Sequence, residues 1–196
     1  MEILQPEELN LLENKEIFLL KRSTGDKITQ ILGDSAEKIR AVLESGGDLP
    51  EEVMASKPKI SKGENYLGFP WTILDYPRVF GKPDTFALRT FCWWGHGFSM
   101  TLHLDGKYAV SAKNNVLQNA SLLEKENCFL GIHADPWVHH FGEDNYQPFT
   151  AVKMQQILTD ENRSFLKIMR RLPLNQYQIL PQWCEDSAKI LLSSVR

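Results

Sequence analysis

Aromatic and β-branched residues in the middle of the chain alternate with polar residues in short runs, a pattern typical of β-strands. The clearest runs are residues 86–94 and 98–104, separated by Gly95-His96-Gly97. Because two glycines permit a tight turn, we expect these runs to form an antiparallel hairpin. The sequence Asp105-Gly106 is a second turn signal and predicts a further strand from Lys107.

Both ends of the chain have apolar residues at helical spacing. Residues 1–47 predict a helical N-terminal segment, in which Ser23 resembles a helix N-cap. Residues 48–65 are rich in Pro, Lys and Ser and predict a connecting loop. Further helices are predicted in the C-terminal segment, residues 150–196, at 150–158, 160–172 and 181–195.

The order of helices, antiparallel strands and helices predicts an α+β fold. We expect a central antiparallel sheet over about residues 66–134, flanked by the N-terminal and C-terminal helices. At 196 residues the chain has the length of one well-packed domain, so residues 1–196 are expected to form a single domain. The sequence contains no glycine-rich phosphate-binding motif, which argues against a doubly wound nucleotide-binding fold.

Composition and charge exclude several classes of protein. Hydrophobic residues make up 42% and charged residues 24% of the chain, as in ordinary globular proteins. The net charge of −3 gives no general attraction to nucleic acid, which we do not expect as a partner. A basic group on the predicted helix 160–172 is interpreted as a solvated face, with charge suited to a helix C-terminus. It comprises Arg163, Lys167, Arg170 and Arg171.

The sequence shows no signal for secretion or for a membrane span. It has no run approaching about 18 apolar residues and no basic leader followed by an apolar stretch, so no membrane partner is expected. Cys92, Cys128 and Cys184 are an odd set without a Cys-x-x-Cys pair, which fits a reducing compartment better than a disulfide framework. These observations predict a cytoplasmic protein.

Aromatic residues are concentrated between Tyr66 and Phe98, a segment that holds half of all those in the chain. Such a cluster predicts the centre of the core, a ligand pocket, or both. Arg89 lies in a predicted strand among these aromatic residues, and a guanidinium in such a setting is suited to bind a carboxylate or a phosphate. The alternative is a surface arginine that lies across an exposed ring.

The leading hypothesis is therefore a binding or interaction module. Its ligand-binding residues would be Arg89, Trp93 and His96, closed over by a long aromatic loop that contains Trp137. The expected ligand is small and partly apolar or anionic. If the aromatic residues only fill the core, the function lies instead in a surface for a protein partner.

A metal-dependent enzyme is the alternative hypothesis. The sequence repeats a His-x-Asp pattern, at His103 and Asp105 and again at His133 and Asp135, with His139 shortly after. Residues two apart in a strand face the same side, so two such strands side by side would bring together ligands for a divalent metal. The candidate ligands are His103, His133, Asp135 and His139. The competing interpretation is structural, since both aspartates also suit turns. The sequence does not decide whether the protein is an enzyme.

Overall fold

The computed structural model describes residues 3–46, 49–160 and 163–195. The described strands are β1 (Lys59–Tyr66), β2 (Phe69–Phe80), β3 (Thr85–Trp93), β4 (Gly97–Asp105), β5 (Phe129–Gly131), β6 (Tyr146–Pro148) and β7 (Phe165–Leu172). The helices are α1 (Pro6–Glu13), α2 (Lys15–Ser45), α3 (Glu51–Met54), α4 (Lys107–Gln118), α5 (Ala120–Lys125), α6 (Ala151–Leu158) and α7 (Leu180–Ser193), and a 3-10 helix covers Leu174–Ile179.

The seven described strands form one sheet in the order β1-β2-β3-β4-β7-β5-β6, and all neighbouring strands are antiparallel. Helices from both ends of the chain flank this sheet, so the predicted α+β fold is confirmed. The hairpin predicted at Gly95-His96-Gly97 is also confirmed, since β3 pairs with β4 along its whole length, from Thr85 opposite Asp105 to Trp93 opposite Gly97.

One face of the sheet packs against α2 and α7. Alternate side chains of β3 and β4 point to this face and include Leu88 and Leu102, which are fully buried. The two helices bury apolar residues at helical spacing against these strands. The buried residues are Leu32, Ala36, Ile39, Val42 and Leu43 on α2 and Leu180, Cys184, Ala188, Leu191 and Leu192 on α7.

Residues 160–172 were expected to be helical, and this prediction is wrong. Residues 165–172 form β7, which lies between β4 and β5 in the sheet. Leu166 and Ile168 belong to the core under the helices, whereas Lys167 alternates to the other face and pairs in register with His103. Lys167, Arg170 and Arg171 therefore lie in a strand and do not form a solvated face of a helix. Pairing with the neighbouring strands determines the structure here, although the spacing of the basic residues is helical.

The strand predicted from Lys107 is also wrong. Gly106 has a φ of 57°, and the chain enters α4 at this point instead of a second hairpin. Tyr108, Ala112 and Val116 are buried at intervals of four residues, which is the periodicity of a helix and not of a strand.

Several predicted boundaries also need correction. The helix α2 continues through Ser23, so no helix begins there. The break between helices lies instead at Asn14, which separates α1 from α2. The loop predicted at residues 48–65 contains α3 and β1, and the sheet extends beyond residues 66–134 at both ends. The predicted junction at residues 47 and 48 lies outside the described residues. Among the described helices, none combines the length and the hydropathy that a membrane span requires.

Replacement of Leu102 by Ala is expected to lower the free energy of unfolding by roughly 2–5 kcal/mol, because it leaves a cavity between the sheet and the helices. The exposed residue Val110 on α4 provides the control, and Val110→Ala should change this free energy by less than about 0.5 kcal/mol. Urea unfolding followed by tryptophan fluorescence measures both. Equal effects of the two substitutions would contradict the packing described for Leu102.

Candidate functional site

The sheet face opposite the helices carries charged and aromatic side chains. Register pairing places Asp75 on β2 beside Arg89 on β3, and His103 on β4 beside Lys167 on β7. Asp75, His103 and Lys167 are all buried. Buried polar groups are stable only when they have hydrogen-bond or ion-pair partners, and one loop supplies several of these partners.

Residues 132–145, here called the covering loop, lie across this face. The Tyr66 hydroxyl accepts a hydrogen bond from the backbone N–H of His139 at 2.7 Å. The side-chain amide of Asn145 donates to the carbonyl oxygen of Val138 at 3.2 Å. The first bond ties the centre of the loop to β1, and the second holds the conformation of the loop itself.

Two cationic side chains also hold the covering loop. The Arg163 guanidinium donates to the carbonyl oxygens of residues 131–133, at 2.7 to 3.1 Å. The Lys167 Nζ donates to the carbonyl oxygen of Val138 at 2.6 Å. Each bond satisfies a backbone carbonyl, as the interior of a protein requires.

Arg89 is the centre of the hydrogen-bond network at this face. Its guanidinium makes a two-point ion pair with Asp75, with Nε 2.7 Å from Oδ1 and Nη2 3.0 Å from Oδ2. The remaining nitrogen, Nη1, lies 2.8 Å from Nε2 of His139. Burial, together with the charges of Arg89 and Lys167, holds the pKa of His139 well below its usual value. Because a guanidinium only donates, His139 is neutral, with Nε2 as the acceptor and its proton on Nδ1.

A cavity of about 530 Å³ opens beside Arg89. The Arg89 Cζ lies 5.9 Å from the ring centroids of both Phe80 and Trp137, so the guanidinium lies close to aromatic surface. Three cationic side chains and one carboxylate line the cavity, which leaves an excess of two positive charges. The charged residues are Lys59, Asp75, Arg78 and Arg89, and the aromatic residues are Tyr66, Trp71, Phe80, Phe91 and Trp137.

Two further titratable groups are buried at this face. The His103 ring lies 5.1 Å from the Trp137 ring, and burial lowers the pKa of His103 to about 4. Burial also lowers the pKa of Lys167 to about 7, with smaller contributions from the charges of Arg163 and Arg89. The protonation state of Lys167 therefore changes near neutral pH. The other buried group, His103, has no hydrogen-bond partner for its Nε2 within the part of the chain that the structure describes.

No protein family, curated protein or solved structure matches this chain. The chemistry of the site accordingly has to follow from its own side chains. Positive charge beside aromatic surface favours an anion with an apolar portion. Asp75 and His139 hold the Arg89 guanidinium in one orientation, which keeps the cavity wall fixed.

The structure divides the predicted ligand-binding residues between two places. Arg89 and Trp137 line the same cavity. Trp93 and His96 stack with their ring centroids 3.5 Å apart and border a second depression of about 440 Å³. The cavity beside Arg89 thus contains two of the four residues.

Among the residues that line this cavity, Lys59, Tyr66 and Asp75 were not predicted from the sequence as ligand-binding residues. Alternation along β2 puts Asp75 on the same face as Ile73, and this was an available signal for Asp75. No comparable signal exists for Tyr66, because its bond to the covering loop joins distant parts of the chain.

The residues considered for a metal site are not arranged as ligands. The strand β7 separates β4 from β5, so His103 and His133 do not lie on neighbouring strands. His133 Nδ1 accepts a hydrogen bond from the Asp135 N–H at 3.0 Å, within a turn. His139 Nε2 is bonded to the Arg89 guanidinium. Across residues 3–46, 49–160 and 163–195, no group of three or more His, Cys, Asp and Glu residues could hold a metal ion.

The three cysteines are packed in the core, in surroundings that disfavour a nucleophilic role. Cys92, Cys128 and Cys184 are free and buried. Burial raises the pKa of each thiol to about 12, which disfavours the reactive thiolate.

Replacement of Lys167 by Met tests the titration of the buried amine. In the folded protein its pKa is about 7, whereas the ordinary value is 10.5. At pH values between these two pKa values, Lys167 is protonated in the unfolded chain and unprotonated in the folded protein. The free energy of unfolding therefore falls as the pH falls toward 7. We expect Lys167→Met to reduce the slope of the free energy of unfolding against pH by about 1 kcal/mol per pH unit. Urea unfolding between about pH 7 and pH 10 measures the slope.

Lys62→Met is the matched control, since Lys62 is exposed on β1. Its slope should equal that of the unchanged protein. If Lys167→Met also left the slope unchanged, the buried amine would not titrate in this range, and the desolvation described for it would be wrong.

Proposed function

We propose that the protein binds a small anion with an apolar portion in the cavity beside Arg89. The observation that supports this proposal is an excess of two positive charges in a cavity with aromatic walls. Such cavities offer ion pairing for a carboxylate or phosphate and a dry surface for the rest of the ligand.

Arg78 and Lys59 are the groups that meet the anion in this proposal. The charge of Arg89 is already compensated by Asp75. Arg78 Nε donates to the carbonyl oxygen of Lys57 at 3.0 Å, which orients the guanidinium at the cavity wall. A planar guanidinium recognises carboxylate and phosphate oxygens through paired N–H groups.

Phe80 and Trp137 are the groups that contact the apolar portion. Their ring centroids lie 6.0 Å apart, and the rings are inclined by 50°. The Trp137 side chain is 49% exposed, so a ligand in the cavity would bury surface that the free protein leaves in water. Aromatic contacts of this kind contribute on the order of 1 kcal/mol each.

The buried network under the covering loop has a supporting role in this proposal. It holds the guanidinium of Arg89 and the loop that carries Trp137, and no reaction is assigned to it. We further infer a cytoplasmic setting, because three free and buried cysteines fit a reducing compartment.

Isothermal titration calorimetry with phenyl phosphate and with benzylamine tests the proposed function. The two probes share an aromatic ring and differ in the sign of their charge. We expect saturable binding of phenyl phosphate and binding of benzylamine that is at least about tenfold weaker, because the cation excess favours only the anion.

Three substitutions locate the binding site. Arg78→Gln should weaken phenyl phosphate binding by about tenfold, since a charge-assisted hydrogen bond contributes about 1.5 kcal/mol or more. Trp137→Ala should weaken it by about fivefold through the lost ring contact. Arg40→Gln makes the same change on α2, beyond the opposite face of the sheet, and should have no effect. Equal binding of the two probes, or equal effects of Arg78→Gln and Arg40→Gln, would refute the proposed site.

A further inference from the structure

The N-terminal arm, defined here as residues 3–24, exposes much apolar surface. None of the eight residues of α1, all of which the structure describes, is buried. Along the arm, large apolar side chains are between 42% and 77% exposed. They are Ile3, Leu4, Leu9, Leu11, Leu12, Ile17, Phe18, Leu19 and Leu20. Apolar surface of this extent marks a site of interaction.

The first turns of α2 are apolar on nearly all sides. Ile17, Phe18, Leu19 and Leu20 are consecutive, and successive side chains of a helix are rotated by about 100°. These four side chains therefore span more than one helical turn and point to all sides of the helix. A helix that is apolar all round is normally buried, so the arm requires contacts on more than one side.

The sequence nevertheless specifies helical structure in the arm. Pro6 lies in the first turn of α1, and Gln5 forms a capping box with Glu8. The Asn14 side chain accepts a hydrogen bond from the Ile17 N–H at 3.1 Å and caps α2. Isolated helices shorter than about 12 residues are marginal in water, so the eight-residue α1 depends on packing that its own chain does not supply.

The apolar surface of the arm continues into a groove on the body of the protein. Ile17, Leu20 and Ile31 fall on one side of α2, because their separations approach whole numbers of helical turns. Ile31 lines a groove of about 590 Å³ together with Trp94 and Phe98. The arm and the groove thus form one apolar surface.

We propose that this surface is the interface with a second copy of the chain, in which the two arms pack antiparallel about a two-fold axis. With about half of each side chain exposed, the large apolar residues of the arm present on the order of 800 Å². A stable interface of standard size buries about the same area on each partner. Two arms packed together also cover each other on several sides, as their all-round apolar character requires.

The distribution of charge favours an antiparallel pairing. Residues 3–16 carry four carboxylates and one lysine, whereas residues 27–40 carry three cationic side chains and two carboxylates. An antiparallel pairing centred near Lys21 and Arg22 places the acidic residues 3–16 of one copy against the weakly basic residues 27–40 of the other, whereas parallel arms would oppose the two acidic segments. With the two-fold axis near Lys21 and Arg22, Glu16 lies level with Lys27 of the second copy.

The charge also disfavours a membrane surface as the occupant. Helices that lie on anionic bilayers carry Lys and Arg on their polar faces. The helix α1 has Glu7, Glu8 and Glu13 and no basic residue, so an anionic bilayer would repel it. A second copy offers both the apolar area and the opposite charge.

Sedimentation velocity of the full chain from about 1 to 100 μM tests the proposal. We expect a concentration-dependent equilibrium between monomer and dimer. Leu20→Glu should raise the dissociation constant at least about tenfold, because it places a charge without a partner in an apolar interface. Val152→Glu is the matched control, since Val152 is 70% exposed on α6 and Leu20 is 65% exposed on the arm. It should leave the dimer unchanged.

Two further measurements test the antiparallel register. Glu16→Lys should weaken the dimer, and adding Lys27→Glu should restore it, because the pair then regains opposite charges. Arg22→Cys, near the two-fold axis, should form a disulfide-linked dimer under mild oxidation. Glu37→Cys, exposed farther along α2, is its control and should not. The native cysteines are buried, so they do not compete in this experiment.

A monomer throughout the concentration range would overturn the proposal. A dimer that persists in Leu20→Glu, or that cross-links through Glu37→Cys and not through Arg22→Cys, would also overturn it. Binding of the full chain to phosphatidylserine-containing vesicles in place of dimerisation would assign the arm to a membrane instead. Circular dichroism and thermal unfolding of each variant show whether the body remains folded, and the cysteine pair keeps the test decisive if Leu20→Glu does not fold.

Discussion

The structure depends on burying both faces of the central strands although one of these faces combines apolar side chains with charged ones. Toward α2 and α7, apolar packing meets this requirement, as at Leu88 and Leu102. On the opposite face, burial of Asp75 and Lys167 is stable only because each has a partner. The covering loop supplies the carbonyl oxygen that Lys167 needs, and the strands in turn hold the loop, so the two parts stabilise each other.

The same arrangement determines the electrostatic character of the candidate site. Arg89 and Lys167 lie under the covering loop. Burial, together with the charges of these two residues, lowers the pKa of His139 and keeps its imidazole neutral. Arg89 also borders the cavity, where Asp75 is the one carboxylate that lines it among the described residues. The residue that holds the loop in place therefore also contributes to the binding surface, which couples the position of Trp137 to the shape of the cavity.

Local patterns in the sequence were sufficient for the fold class and for the strand that carries Arg89, but not for the assembly of the site. Alternation in residues 86–104 and the intervening glycines predicted β3 and β4 correctly. Lys167 was assigned to an exposed helix because basic residues recur there at helical spacing and because lysine is rarely buried. The bonds from Arg89 to Asp75 and to His139 join separate segments, and such pairing is not encoded in any local pattern.

The position of β7 in the sheet affects how the chain folds during synthesis. It pairs with β4, although α4, α5, β5, β6 and α6 all lie between these strands in the chain. Until residues 165–172 have left the ribosome, β4 presents an unpaired edge flanked by apolar side chains. Such an edge promotes aggregation of a nascent chain, and it closes only when residues 165–172 have emerged and paired with β4.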